Sequence, residues 1–326
     1  MADNANGMGD GKASGGDPRD AGRVLSVAGV VDTVLGFTIP ARHARGRIAR
    51  LGPALDSILA AHDYPPAIGR LLGEALVLTA LLGSTLKHKE GQLTLQAQTE
   101  GGVVDLLVCD YRGGEMRGYV RHDPDRLAEA PVSPSLFALF GKGYLAITFD
   151  QAVSGERYQG IVPLEGASLG EAAESYFSQS EQIPSLVRLA TVSNGAAGHV
   201  AGGLMLQHLP EGEEGRERLH TRLDHPEWEH VATLASTVKA EELTDPALTL
   251  EALAWRLFNE EGEVRVLPSV PVSRGCRCSA QHTRDVISRF PAEEQAAMAD
   301  EHGMIHVDCE FCSRRFSIAL RDVLVA

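Results

Sequence analysis

The stretches GCRCS (275–279) and DCEFC (308–312) hold four of the five cysteines in a chain of 326 residues. They read as Cys276-x-Cys278 and Cys309-x-x-Cys312, with thirty residues between Cys278 and Cys309. The interval is patterned. AQHTRDVISRF (280–290) and PAEEQAAMADEH (291–302) have helical spacing, with Pro291 at a helix start and Gly303 at its end. MIHVDC (304–309) alternates as a strand entering the second pair, and RFSIAL (315–320) as the strand leaving it. A compact hairpin-and-helix unit of this kind brings two thiolate pairs together, as a tetrahedral four-cysteine zinc site requires.

Three readings of the cluster compete. Four unrelated buried cysteines is the weakest, because four of five would not gather by chance. A structural zinc ribbon and a redox switch both fit. Catalytic zinc fits poorly, since four sulfurs close the coordination sphere and leave no place for water. His282, His302 and His306 lie close enough in sequence to substitute as ligands, but solvated or structural roles suit them better. Structural zinc contributes about 10–16 kcal/mol to folding in small units. A unit the size of residues 276–326 has only a few kcal/mol of net stability, at roughly 0.05–0.15 kcal/mol per residue. Metal loss should therefore unfold it. Each adjacent pair is also close enough to form a disulfide, which cannot ligate zinc as thiolates do. The chemistry permits a switch and equally permits a permanent ribbon.

Working outward, VLPSVPVSRG (266–275) carries Pro268 and Pro271 and reads as an extended tether into the cysteine unit. Before it, Trp228, Val231, Leu234, Ala235 and Val238 share one helical face, and Leu250, Leu253, Leu257 and Phe258 share another. Both helices are short, and the first is rich in β-branched residues, so neither is stable alone. Residues 223–275 are thus expected to be a metastable helical linker held by docking. LPEGEEGRER (209–218) is a polar break before it.

Residues 23–222 read as one α+β domain. LTLQAQT (93–99) alternates as a strand, GGVVDLLVCDY (101–111) reads as a more buried one, and GYLAITFD (143–150) with RYQGIVPLEG (157–166) forms a second sheet-like group. Helical patterns cover Gly46–His62, Pro66–Leu86 and Ser168–Ser180. Residues 1–22 are Gly, Asp, Ala and Ser with almost no apolar side chains, and are expected to be a disordered tail.

Composition narrows the function classes. Thirty Lys and Arg against 44 Asp and Glu give a formal charge of −14, which disfavours binding to nucleic acid. Ala67–Leu86 is the best membrane candidate, but Arg70 and Glu74 within it suit a buried helix better than a bilayer span. No secretory h-region follows the start, so a cytoplasmic location with reduced thiols is expected. GASLG (166–170) matches a hydrolase nucleophile elbow, but Pro163 spoils the strand that should precede it. Ser168 reads instead as a helix N-cap, with Glu171 completing a capping box. Cys109 lies in an apolar run and reads as an inert buried thiol. Gly202-Gly203 reads as a close backbone approach rather than a phosphate loop. No phosphate-binding G-x-x-x-x-G-K-[ST] motif is present, so no nucleotide is expected, and the chain is read as no enzyme.

With these residues in view, the chain resembles the heat shock protein 33 family, the redox-regulated holdase chaperonins of the bacterial cytosol. The resemblance runs from about Val24 to the C-terminus. Besides the cysteine pattern it is carried by YPPAIGRLLGEALVLTALLGSTLK (64–87), GYLAITFD (143–150), YFSQSEQIPS (176–185), VAGGLMLQHLP (200–210) and LAWRLFNEEGEVRV (253–266). Arg45-Gly46 and Arg117-Gly118 also fit the pattern, though packing explains them equally well. The resemblance implies an N-terminal core, a helical linker and a C-terminal redox switch. It implies one zinc per chain on Cys276, Cys278, Cys309 and Cys312 in the reduced, inactive state. It further implies that oxidants form the disulfides Cys276–Cys278 and Cys309–Cys312, release zinc, and yield an ATP-independent holdase for unfolded or partly folded clients. The active form is expected to be a homodimer. The rival expectation is an interaction or nucleic-acid module with a permanent four-cysteine zinc site.

Overall fold

The structure is a computed structural model, described here for residues 30–99, 101–132, 134–151, 155–209 and 225–323. The expected tail, 1–22, and all but the first residue of the polar break lie outside these residues.

In chain order the strands are β1 (Thr33–Ile39), β2 (Ala44–Leu51), β3 (Gln92–Thr99), β4 (Val104–Arg112), β5 (Glu115–His122), β6 (Gly143–Gln151), β7 (Glu156–Pro163), β8 (Ser185–Ser193), β9 (His199–His208), β10 (Arg265–Val266), β11 (Val270–Pro271), β12 (Ser273–Arg274), β13 (Met304–Asp308) and β14 (Arg315–Ala319). The helices are α1 (Pro53–Leu59), α2 (Pro66–Gly83), α3 (Pro124–Glu129), α4 (Leu136–Phe140), α5 (Leu169–Tyr176), α6 (Pro226–Ser236), α7 (Ala240–Thr244), α8 (Leu250–Phe258), α9 (Ala280–Ile287) and α10 (Ala292–Met298). The fold is α+β, as expected.

One sheet runs β10-β1-β2-β9-β8, with β11 also on β1; a second runs β12-β5-β4-β3-β6-β7; β13 and β14 form a third. Helix α2 lies between the two large sheets. Its Ile68, Leu72 and Leu76 share one core with Ala49, Ala201 and Met205 of the first sheet and Leu95, Leu107 and Ile147 of the second. An 18-residue apolar helix is long enough to cross a membrane, but here most of it is buried inside the protein. Its apolarity serves two sheets at once.

The period-two alternation of the first sheet explains its second layer. Met205 faces α2, while Leu204 and Leu206 face outward with Leu35, Phe37, Ile39 and Ile48. On that outer face sit Trp228, Val231 and Ala235 of α6, Leu243 of α7, and Leu253, Leu257 and Phe258 of α8. Phe37 and Phe258 meet with ring centroids 5.5 Å apart. These helices bury their apolar faces on the sheet and on one another in a single cluster. Gly202-Gly203 is where the layers press closest. A Cβ at Gly202 would lie 2.1 Å from the Leu243 carbonyl oxygen, and one at Gly203 would lie 2.4 Å from Val77 of α2. The close-approach reading of this pair is thus what the packing shows.

Three local expectations are corrected. Residues 143–150 and 157–166 form no second sheet but extend the sheet of β3 and β4, because β6 pairs with β3 along its length. Gly46–His62 was expected to be helical, but residues 46–51 belong to β2, and the helix occupies only Pro53–Leu59. Strand β2 pairs along its length with both β1 and β9, and that two-sided pairing overrides a local helical spacing. Pro53 then opens α1 at its first turn, where a missing N–H costs nothing. Strand β7 runs paired as far as Pro163, so that proline does not spoil the strand before GASLG as expected; the N-cap reading of Ser168 is what holds. Ser168 Oγ accepts from the Glu171 N–H (3.2 Å), while the Glu171 carboxylate accepts from Ala167, one residue before the cap.

Candidate metal centre

Four elements position the cysteines. Strand β12 runs parallel to β5, and the Gly275 N–H donates to the Met116 carbonyl (2.8 Å), so Cys276 leaves the edge of the second sheet at a fixed point. Ser279 N-caps α9 by accepting from His282 N–H, which fixes the turn carrying Cys278. The β13–β14 hairpin presents the second pair. In that turn the Cys309 N–H donates to Arg314, while the Cys312 and Ser313 N–H groups both donate to the Cys309 carbonyl. Ser313 takes a left-handed conformation (φ 54°) to close it.

All four Sγ atoms lie within 4.8 Å of one another. Cys276 Sγ is 3.7 Å from Cys309 Sγ, and Cys278 Sγ is 3.4 Å from Cys312 Sγ. Tetrahedral zinc with Zn–S bonds near ~2.3 Å would set sulfurs about 3.8 Å apart, so the donor set fits. All five cysteines are free thiols. Burial pushes the Cys276 thiol up, but the Cys278 N–H and the neighbouring sulfurs outweigh it and bring the thiol down to about 7. Burial and the neighbouring sulfurs push Cys278 up, and Cys309 is likewise raised. Crowded sulfurs therefore favour a first thiolate and resist further ones unless a cation shares their charge.

The unit has little else to hold it. Its buried apolar cluster among the described residues is Ile287, Ile305, Ile318 and Val323. A core this small rarely supplies more than about 3–5 kcal/mol. His306 hydrogen-bonds Ser317 and Asp300, and His302 is exposed beside Glu301, so neither joins the sulfurs; nor does His282, which is absent from the cluster.

The centre is seated on the second sheet by contacts that sequence reasoning missed. Phe311, between the two cysteines of the second pair, stands edge-on to Tyr119 at 5.0 Å, and the Arg117 guanidinium covers its ring at 3.9 Å. Ser313 Oγ donates to the Ala61 carbonyl just beyond α1 (2.6 Å). Arg277, between the first two cysteines, reaches Gln92 and Asp110. An apolar or cationic residue between paired ligands was the only available signal. Cys109, by contrast, is fully buried on β4, where burial pushes its thiol well up, and it is not one of the clustered sulfurs.

Helices α6–α8 have their own fastenings. Arg50 of β2 is buried, and its guanidinium donates to the carbonyls of Leu243 (2.9 Å), Glu242 (3.1 Å) and Leu248 (2.6 Å). Arg42 bridges Glu227 of α6 and Glu261 beyond α8, and Glu261 also meets His230 at 2.7 Å. Burial would raise the Glu261 carboxyl, but hydrogen bonds from Arg42 and His230 hold it below its ordinary range.

Comparison with known proteins gives a consistent result. Residues 32–319 match the family model described as Hsp33 protein. The 33 kDa chaperonin of Caulobacter vibrioides is 43% identical over 298 residues, covering 89% of this chain and 96% of the relative. That of Shewanella loihica is 37% identical over 279 residues, covering 86% and 90%. Among solved structures, the 33 kDa chaperonin (heat shock protein 33 homolog) of Thermotoga maritima superposes with a TM-score of 0.73 at 20% identity, over 90% of this chain and 97% of that one. At that identity the superposition speaks for the fold.

Proposed function

Because this chain belongs to the Hsp33 family, we propose that it is a redox-regulated, ATP-independent holdase chaperone of the cytoplasm, silent when its four cysteines hold zinc and active when they are oxidised. The observation that carries this is the cluster of four free thiols within 4.8 Å, in a unit whose own core is too small to stand alone. Cys276, Cys278, Cys309 and Cys312 are the proposed ligands of one zinc ion. Bound zinc would supply charge neutralisation and a cross-link worth about 10–16 kcal/mol to folding.

Activation is a two-electron oxidation at each pair. The thiolates of Cys276 and Cys278 lose two electrons as their S–S bond forms, while the O–O bond of a peroxide breaks and two waters result with two protons taken from solvent; Cys309 and Cys312 repeat the step with a second peroxide. Each disulfide removes two thiolate donors, and a site with none left no longer holds zinc. Residues 276–326 then lose more free energy than their own core provides. The linker (223–275) loses one support, opens, and uncovers Trp228, Val231, Leu253 and Leu257 together with the sheet face of residues 23–222 beneath it. Unfolding client proteins bind that surface, and the active form is a homodimer. No catalytic, nucleotide, nucleic-acid or membrane role is proposed.

The test pairs zinc release under peroxide with light scattering of a thermally aggregating client. Oxidised protein should suppress aggregation without ATP, and reduction with zinc present should reverse this. Equal suppression by the reduced, zinc-loaded form would count against the switch.

A further inference from the structure

Residues 264–272 lie along β1 as a strap that pairs with it in two short pieces. In β10, Val266 stands opposite Phe37 and Arg265 opposite Thr38; in β11, Val270 stands opposite Val34 and Pro271 opposite Thr33. The Leu267 N–H donates to the Gly36 carbonyl (2.8 Å), the Val272 N–H to the Asp32 carbonyl (3.0 Å), and Thr33 Oγ1 to the Val270 carbonyl (3.1 Å). On its other side β1 is paired with β2 over its whole length. This strap therefore fills the one side of β1 that would otherwise be open.

Its hold is mostly backbone. Val266 and Leu267 are 48% and 45% exposed, and the one side chain of the strap that is deeply buried is Val272, in the core between the two large sheets. Pro268 and Pro271 cannot donate and interrupt the ladder. Beyond the strap the chain pairs with β5 and reaches Cys276 at once. At the near end it continues from α8, which is itself only docked. Both anchors are the elements expected to let go on oxidation.

We propose that the open side of β1 is a client-docking edge, and that the strap is a resident stand-in for the client. This rests on the redox-release reading above. When the strap leaves, the N–H and C=O groups of residues 32–38 that faced it are unpaired, and such an edge accepts any extended chain in register. The occupant is an extended apolar segment of an unfolding protein. Two observations define that chemistry. The seated strap is itself rich in β-branched and apolar residues (Val264, Val266, Leu267, Val270, Val272). The flank exposed by departure of α8 is Leu35, Phe37 and Ile39, all buried in the closed form. Folded proteins have no free strand to offer, so backbone pairing selects for the unfolded state rather than for a sequence.

The experiment uses the full-length chain and a fluorescent synthetic peptide with the sequence of residues 264–272. Oxidised, zinc-free protein should bind it, and reduced, zinc-loaded protein should not. N-methylation at the Leu267 position removes the donor to Gly36 and should weaken binding by about tenfold or more. N-methylation at the neighbouring Val266 position, whose N–H points away from β1 by strand alternation, should leave binding intact. Binding should slow amide exchange across residues 33–39, and a thermally unfolded client should displace the peptide. Equal effects of the two methyl groups, unchanged exchange at 33–39, equal binding by the reduced form, or failure of the client to displace the peptide would each overturn the proposal. Aggregation suppression is measured on the same samples. Suppression with methyl-insensitive peptide binding sinks the edge and leaves the holdase standing; methyl-sensitive binding and displacement without suppression does the reverse.

Discussion

Arg50 and Leu243 are joined across two layers of the protein: the buried Arg50 guanidinium on β2 donates from Nε to the Leu243 carbonyl oxygen of α7 at 2.9 Å. The contact links the first sheet directly to the helical layer on its outer face, and it places a cation among the final carbonyls of a short helix, where positive charge is favourable. Gly202 makes room for the same carbonyl from below.

Removing that cation should loosen the linker without touching the metal centre. Arg50→Met leaves three linker carbonyls without their donor, and hydrogen bonds to charged groups are worth about 1.5–3 kcal/mol. Hydrogen exchange across residues 226–258 should accelerate, while the zinc content stays at the wild-type value. Unchanged exchange would show that apolar packing alone holds the linker.

Phe311→Ala should separate docking of the cysteine unit from metal binding. The variant loses an edge-on aromatic pair with Tyr119 and a cation–π contact with Arg117, together about 1–3 kcal/mol. The expected result is a retained metal with faster exchange at Ala61 and Tyr119. Loss of metal from this variant would mean that seating and ligation are one event.

Elemental analysis of anaerobically purified protein should return one zinc per chain, falling to near zero in Cys276→Ser/Cys309→Ser. Cys109→Ser should keep both zinc and oxidant response, with only a modest loss of thermal stability, because its site is fully buried and its thiolate disfavoured. Lost oxidant response in folded Cys109→Ser would place that thiol in the switch.

Stability should fall as pH rises toward neutrality, through Glu74 on α2. Burial pushes this carboxyl up to about 7, although Arg70 pulls it down. Between the ordinary carboxylate value and 7 the folded chain holds a proton that the unfolded chain has released. Stability from this group is therefore full below about 4.5 and is lost progressively as pH rises through 7. Glu74→Gln removes that dependence, so its melting temperature should exceed wild type by more at pH 8 than at pH 5. A constant difference across that range would show that Glu74 ionises normally.

What the sequence determined by itself was everything carried by short-range pattern. The spacing of Cys276, Cys278, Cys309 and Cys312 announces a four-sulfur cluster, because ligand pairs one or two residues apart are already neighbours before folding. The helical face of Trp228, Val231 and Ala235 and the alternation of Gln92–Thr99 are equally local, since side-chain period follows from backbone geometry. Tertiary structure alone decided the rest. β2 is a strand because β1 and β9 flank it, not because of its own residues. That Arg50 reaches Leu243, that Phe311 rests on Tyr119, and that residues 265–271 lie along β1 depend on partners far apart in the chain. Pairings of that kind leave no periodic trace, because the energy that fixes them comes from surfaces that exist only once the chain has folded.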